Sequence, residues 1–282
     1  MSTPEEEFKL YHYDPSTGAA VTFIIFFLAI TGIHAYQMIR TKTWFFTAFI
    51  IGGCLQWVGY IGRAISSRQS PDWALGPYLI QSVLLLVSPA LFAASIYMIL
   101  GRIILLTDGE PHSIIRRTWL TKIFVCGDVL SFVMQGAGAG IMASNSKGSM
   151  SRGERIVTWG LVVQVVVFSL FAVTAGIFHK RMRQNPTTKV LAQNLPWQSH
   201  LMVLYGASLL IMVRSVFRLI EYAQGNDGYL ISHEIFLYLF DSVLMFATMV
   251  VLAWYHPSEV YALLNGTGGM AVRRLTSVYS MA

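Results

Sequence analysis

Seven stretches of 20 or more mostly apolar residues follow one another along this chain, at 20–39, 44–64, 78–106, 121–143, 156–178, 200–222 and 233–255. A bilayer core about 30 Å thick takes about 20 residues of helix. Within it the backbone must satisfy its own polar groups, which leaves only helices and closed barrels. Runs of this length read as helices. The fold class expected is therefore all-α: a polytopic membrane protein built as a bundle of seven transmembrane helices. Composition excludes the soluble alternative. The chain is 55% hydrophobic and 12% charged, against about 25% charged in an ordinary soluble domain. A soluble globule this apolar would expose patches that aggregate.

The organisation follows from these runs: 1–19 as an extracellular N-terminal segment, 20–256 as the seven-helix domain and 257–282 as a cytoplasmic tail. The acidic start (Glu5, Glu6, Glu7) lacks the basic n-region of a cleavable signal peptide, so the first span is expected to remain as an anchor. The third span is long for one crossing, and Pro89 within it marks an expected kink. Ser70-Pro71-Asp72 and Gly225-Asn226-Asp227-Gly228 read as turns. Cys54 and Cys126 both sit in apolar runs, which argues against a disulfide framework. The glycine run Gly136, Gly138 and Gly140 in the fourth span, with Gly136-x-x-x-Gly140 a small-xxx-small pattern, is expected to let helices approach closely. Trp44, Trp73, Trp119, Trp197 and Trp254 stand at span ends, as an interfacial aromatic belt would.

The net charge of +6 lies mainly in short loops. With the N-terminus outside, 12 lysines and arginines fall on the cytoplasmic side, among them Arg116, Arg117, Lys180, Arg181 and Arg183, and five on the outer side. The positive-inside rule then places the N-terminus outside and the C-terminus in the cytoplasm. This distribution accounts for the basic charge without nucleic acid, so no nucleic-acid partner is expected. On that topology the sequon Asn265-Gly266-Thr267 is cytoplasmic and unmodified. The expected location is an integral membrane protein of the plasma membrane, with an internal membrane as the alternative.

Three basic residues remain inside spans: Arg63, Arg214 and Arg218. Charges there are costly and face partners or cavities. Arg214, Arg218 and Glu221 stand at i, i+4 and i+7 and share one face of span six. Glu234 and Asp241, at i and i+7, would share one face of span seven. Spans six and seven are antiparallel neighbours, so Arg218 and Asp241 come to similar depth, with Arg63 ending span two on the same side. Gln81 and Gln164 add neutral polar groups near that level. A polar cluster in the outer half of the bundle is the result. His34 and Asp128 form a sparser inner set, with Gln135 between. Two polar stations would suit a path across the bilayer, although such pairs also serve as structural glue between helices.

Catalytic patterns are missing from the sequence. It has no H-E-x-x-H, no G-x-S-x-G elbow and no Walker A loop. The histidines other than His34 fall in loops or at span edges, on both sides, rather than converging as zinc ligands would. No catalytic residue, metal or cofactor is expected.

Several landmarks resemble the fungal lipid-translocating exporters, a family that includes sphingoid long-chain-base exporters, 7-aminocholesterol-resistance proteins and a protoporphyrin-handling member. They begin with Tyr11-His12-Tyr13-Asp14-Pro15-Ser16 and Gly59-Tyr60-Ile61-Gly62-Arg63, then Pro89-Ala90, Tyr97 and Gly101-Arg102. Asp128, Gln135-Gly136, Gly160-Leu161, Gln164, Arg214, Phe217-Arg218 and Glu221 continue the series, and Glu234, Tyr238, Asp241 and His256-Pro257 complete it. Gln56 departs from it, at a place where the family pattern is expected to carry glutamate. The resemblance implies a membrane protein, not an enzyme, that translocates or exports amphipathic lipids of sphingoid-base type or hydrophobic toxins and so confers stress or drug resistance. Its partners would be membrane lipids and an amphipathic or small hydrophobic substrate. The substrate-binding candidates are Arg63, Gln81, Asp128, Gln164, Arg214, Arg218, Glu221, Glu234 and Asp241. A seven-helix lipid receptor or sensor, and more remotely a lipid-modifying enzyme, are the alternatives.

Overall fold

The computed structural model describes residues 13–70, 73–142, 148–193, 195–225, 228–265 and 271–272. Tyr11-His12, the turn residues Pro71-Asp72 and Asn226-Asp227, and Gly266-Thr267 of the sequon lie outside the described residues. Helix α1 (Thr17–Thr41) starts where the Ser16 hydroxyl accepts a hydrogen bond from the Ala19 N–H, an N-cap, and stops where Lys42 turns left-handed at φ 56°. It is followed by α2 (Thr47–Ser67), α3 (Leu75–Leu106), α4 (Arg117–Met142), α5 (Ser149–Gln184), a short α6 (Thr188–Gln193) and α7 (Trp197–Ala223). The seventh span joins α8 (Glu234–Leu237), a π-helical turn (Tyr238–Val243) and α9 (Leu244–Trp254), and α10 (Ser258–Leu264) closes the described fold. Seven of these stretches are long and apolar enough to cross a membrane, and no strand occurs among the described residues. The protein is an all-helical, integral membrane protein.

Successive spans run antiparallel. One end of the bundle, here the N-terminal face, therefore gathers the starts of α1, α3, α5 and α8 with the ends of α2, α4 and α7. Helix α3 is central: it packs on α2, α4 and α7, and 61% of its span is buried, against 28% for α1 and α4. Large apolar side chains face outward all round the bundle, for example Ile25, Leu28, Val133, Leu170 and Leu209. Lipid is as apolar as leucine, so what orders the interior is close packing and hydrogen bonding rather than apolar burial. The interior accordingly holds an aromatic ladder, in which Phe49 lies 4.5 Å from both Phe46 and Phe92, and Tyr97 lies 4.5 Å from Phe171.

Two expectations need correction. Of the fourth-span glycine run, Gly138 does permit close approach, since a Cβ there would meet the Gly153 carbonyl and Val157 at 2.7 Å. Gly136 and Gly140 would meet nothing within 4 Å, so their spacing is not a packing motif here. Trp44, Trp119 and Trp254 are exposed as a belt requires, but Trp197 is buried edge-on against His179 of α5. It is a core residue because α7 begins beneath the end of α5. After the last span the chain turns back: His200 Nε2 and Glu259 Oε2 meet at 3.1 Å, and the Arg102 guanidinium sits 3.7 Å over the Phe45 ring beside Tyr261. These contacts seat α10 on the end of the bundle opposite the N-terminal face.

Candidate functional site

Helix α7 places Arg214, Arg218 and Glu221 on one stripe, and the seventh span brings Asp241 to it. Asp241 is shared: Oδ1 accepts from Arg214 Nε at 2.6 Å and Oδ2 from Arg218 Nη2. Arg218 Nη1 donates to Glu221 Oε2 at 2.9 Å. Arg214 is fully buried, and its second tie explains how α3 tolerates its proline. Pro89 has no N–H to offer the Leu85 carbonyl four residues earlier. Arg214 Nη2 donates to that freed carbonyl at 2.8 Å. A helix defect and a buried guanidinium thus satisfy each other, and α3 continues unbroken through Pro89.

Arg63, at the end of α2, makes a second knot. Its Nη2 reaches Glu234 Oε1 at 2.7 Å and the Tyr13 hydroxyl at 2.9 Å, while Nε reaches the Tyr238 hydroxyl at 3.0 Å. The Ser16 N–H also donates to Glu234 Oε1 at 2.8 Å, tying the start of α1 to the start of α8. Glu234 and Asp241 do not serve the same neighbour, contrary to their i, i+7 spacing. The π-helical turn between them bonds i to i+5 and shifts the register. One carboxylate therefore faces α2 and the other α7. The wider turn also buries two adjacent residues, Asp241 and Ser242, the latter bonded to the Tyr60 hydroxyl of α2. Three arginines (Arg63, Arg214, Arg218) stand against three carboxylates (Glu221, Glu234, Asp241), a formal sum of zero. Gln56, 1% exposed in α2, is neutral where glutamate would add another buried negative charge.

A cavity of about 80 Å³ opens beside this network, lined by Tyr13, Tyr78, Gln81, Arg218, Glu221 and His233 among others. That is room for several waters or a small head group. Gln81 therefore belongs with the charged cluster. Gln164 does not: its Oε1 accepts from Gln135 Nε2 at 3.2 Å, in a neutral seam between α4 and α5. The Ser131 hydroxyl continues that seam, accepting from Gln135 at 2.6 Å and donating to the Gly160 carbonyl at 2.7 Å. Asp128 stands apart again. Its Oδ2 accepts from the Tyr97 hydroxyl at 2.9 Å, and no cation pairs with it among the described residues. His34 is not its companion. His34 Nε2 bonds the Met249 carbonyl at 2.9 Å, so that nitrogen carries the proton, and the ring packs on Phe49 and Phe46. Sequence spacing missed the tyrosines 13, 60 and 238 and the Leu85 carbonyl. The signal for the last was present, since a proline in a span frees the carbonyl four residues before it.

The fold and site define a seven-span membrane protein with an internally balanced charge network and a polar cavity at one end. Residues 49–263 match the family described as RTA1 like protein, and the chain belongs to that family. Among curated relatives, Protoporphyrin uptake protein 1 of Saccharomyces cerevisiae is 36% identical, over 89% of this chain and 92% of its own length. Protein RTM1 of the same species is 35% identical, over 87% and 90%. The sphingoid long-chain base transporter RSB1 is 26% identical, over 88% and 73%. No solved structure matches.

Proposed function

We propose that this protein translocates a single-chain amphiphile across the membrane, its charged head entering the cavity beside Arg218 and Glu221 while its chain stays in lipid or between helices. Family membership, with relatives named as a transporter and an uptake protein, supports a membrane transporter role. The same names and the helical bundle point to a non-enzymatic protein. The observation that carries the finer reading is the ion pair Arg218–Glu221 on the cavity wall, at the edge of a network with no net charge.

An ammonium head, as on a sphingoid base, would replace Arg218 at the Glu221 carboxylate, with the rings of Tyr13, Tyr78 and Tyr222 as further cation-binding surfaces. Arg218 would keep Asp241 throughout, so no charge is stranded during the exchange. That limits the cost of bringing an ion into the membrane. The loop charges support an external N-terminal face, which would make this cavity the outer station. The plasma membrane is the membrane proposed.

The test is transfer of a fluorescent sphingoid base in liposomes holding the purified full-length protein, beside folded Glu221→Gln and Asp241→Asn variants and protein-free vesicles. Protein-dependent movement slowed at least about tenfold in both variants is expected, since each loses a charge-assisted bond. Wild-type rates in both variants would overturn the head-group site. Saturable binding without movement would overturn translocation in favour of a lipid sensor.

A further inference from the structure

Beside the polar cavity lies a second, apolar groove of about 60 Å³, walled by Leu79, Val83, Phe132, Gly136, Ala139 and Val157 among others. Cavity and groove are contiguous, because Tyr78, Ser82, Leu86 and Tyr222 line both. A charged compartment and an apolar one thus meet across two tyrosines, which is the division of chemistry within one amphiphile. We infer that the α3–α4–α5 groove seats the part of the hydrocarbon chain next to the head that occupies the Arg218–Glu221 cavity, and that Gly136 sets the chain it admits. This inference rests on the head-group reading above.

Two further observations single out the groove. A Cβ built on Gly136 meets no atom within 4 Å, although neighbouring Gly138 is packed hard against α5. Gly136 is therefore unneeded for helix packing, and what it provides is room on the groove wall. The groove also holds Gln135, 2% exposed, whose Oε1 has no donor among the described residues. The assignment of that amide follows from its neighbours. Ser131 spends its one proton on the Gly160 carbonyl and can only accept from Gln135, which must turn its NH2 toward the serine. The carbonyl oxygen left over is a buried acceptor without a donor among the described residues, on a residue of the groove wall.

The experiment measures binding to full-length protein in lipid nanodiscs, with octadecylamine as the long-chain probe and butylamine as the head-only competitor. Gly136→Leu and Glu221→Gln are compared with wild type, and an octadecylamine bearing a diazirine on the carbons next to the amine end is photocrosslinked to wild type. Gly136→Leu should weaken octadecylamine about tenfold or more, as expected when side-chain bulk replaces buried chain contacts, and leave butylamine within about twofold. Crosslinks should fall in residues 75–106, 117–142 and 149–184. If Gly136→Leu binds octadecylamine like wild type while Glu221→Gln does not, the groove assignment is overturned and the head-group site stands. Crosslinks confined to other helices overturn it equally, without depending on how any variant folds. Wild-type binding by Glu221→Gln overturns the head-group site and, with it, this inference.

Discussion

The bundle holds its intramembrane polar groups in two ways. At the N-terminal face, α2, α7 and the seventh span carry full charges, three arginines against three carboxylates, each bonded to at least one opposite partner. Between α4 and α5 the polar groups are neutral, a chain of Ser131, Gln135 and Gln164 beside a tight glycine contact. The first arrangement is costly to break, because a lost partner leaves an ion in a medium that cannot solvate it. The second loses only a hydrogen bond. A helix pair that has only to stay closed can use the neutral seam. Buried charges on a cavity wall have a further use, since a paired ion can exchange partners with a charged ligand.

The largest test of this contrast is Asp241→Ala. It removes the shared acceptor of Arg214 and Arg218, and a loss of roughly 3–5 kcal/mol is expected from breaking a buried pair. Chemical unfolding in detergent measures it, and a loss below about 1 kcal/mol would show that the arginines find other acceptors. Next comes Gly138→Leu, which forces α4 and α5 apart where a Cβ already meets the Gly153 carbonyl. Overpacking should cost about 1–3 kcal/mol, and a neutral outcome would mean that the two helices separate freely. The smallest effect is expected from Gln164→Leu. Gln135 keeps Ser131 as acceptor, so thermal unfolding should register a loss of only about 0.6–2 kcal/mol. A larger loss than for Asp241→Ala would reverse the comparison.

Much of this arrangement was legible in the residues. Apolar run length predicts all seven spans, because the bilayer imposes one helix length on every crossing. Helical spacing places Arg214, Arg218 and Glu221 on one face, and two of them do bond each other. Spacing failed where the helix is irregular or where partners come from afar. Glu234 and Asp241 part company across the π-helical turn, which nothing in Tyr238-Leu239-Phe240-Asp241 signals to a count of 3.6 residues per turn. Gln164 falls at the right depth for the charged cluster but on the wrong helix face, and it meets Gln135 instead. Gly136 and Gly140 have packing spacing and no packing role, because helix rotation turned Gly138 toward α5.

The number of crossings, the all-helical class and the side chains that must find polar partners follow from residue order alone, through length, hydropathy and the cost of a charge in lipid. The identity of those partners comes from how the helices pack. Arg214 shares Asp241 with Arg218 and takes the carbonyl that Pro89 frees, Arg63 takes Glu234, and Asp128 takes a tyrosine. Solvation by lipid depends on composition alone, whereas a hydrogen bond depends on angles and ångströms set by how seven helices rotate against one another.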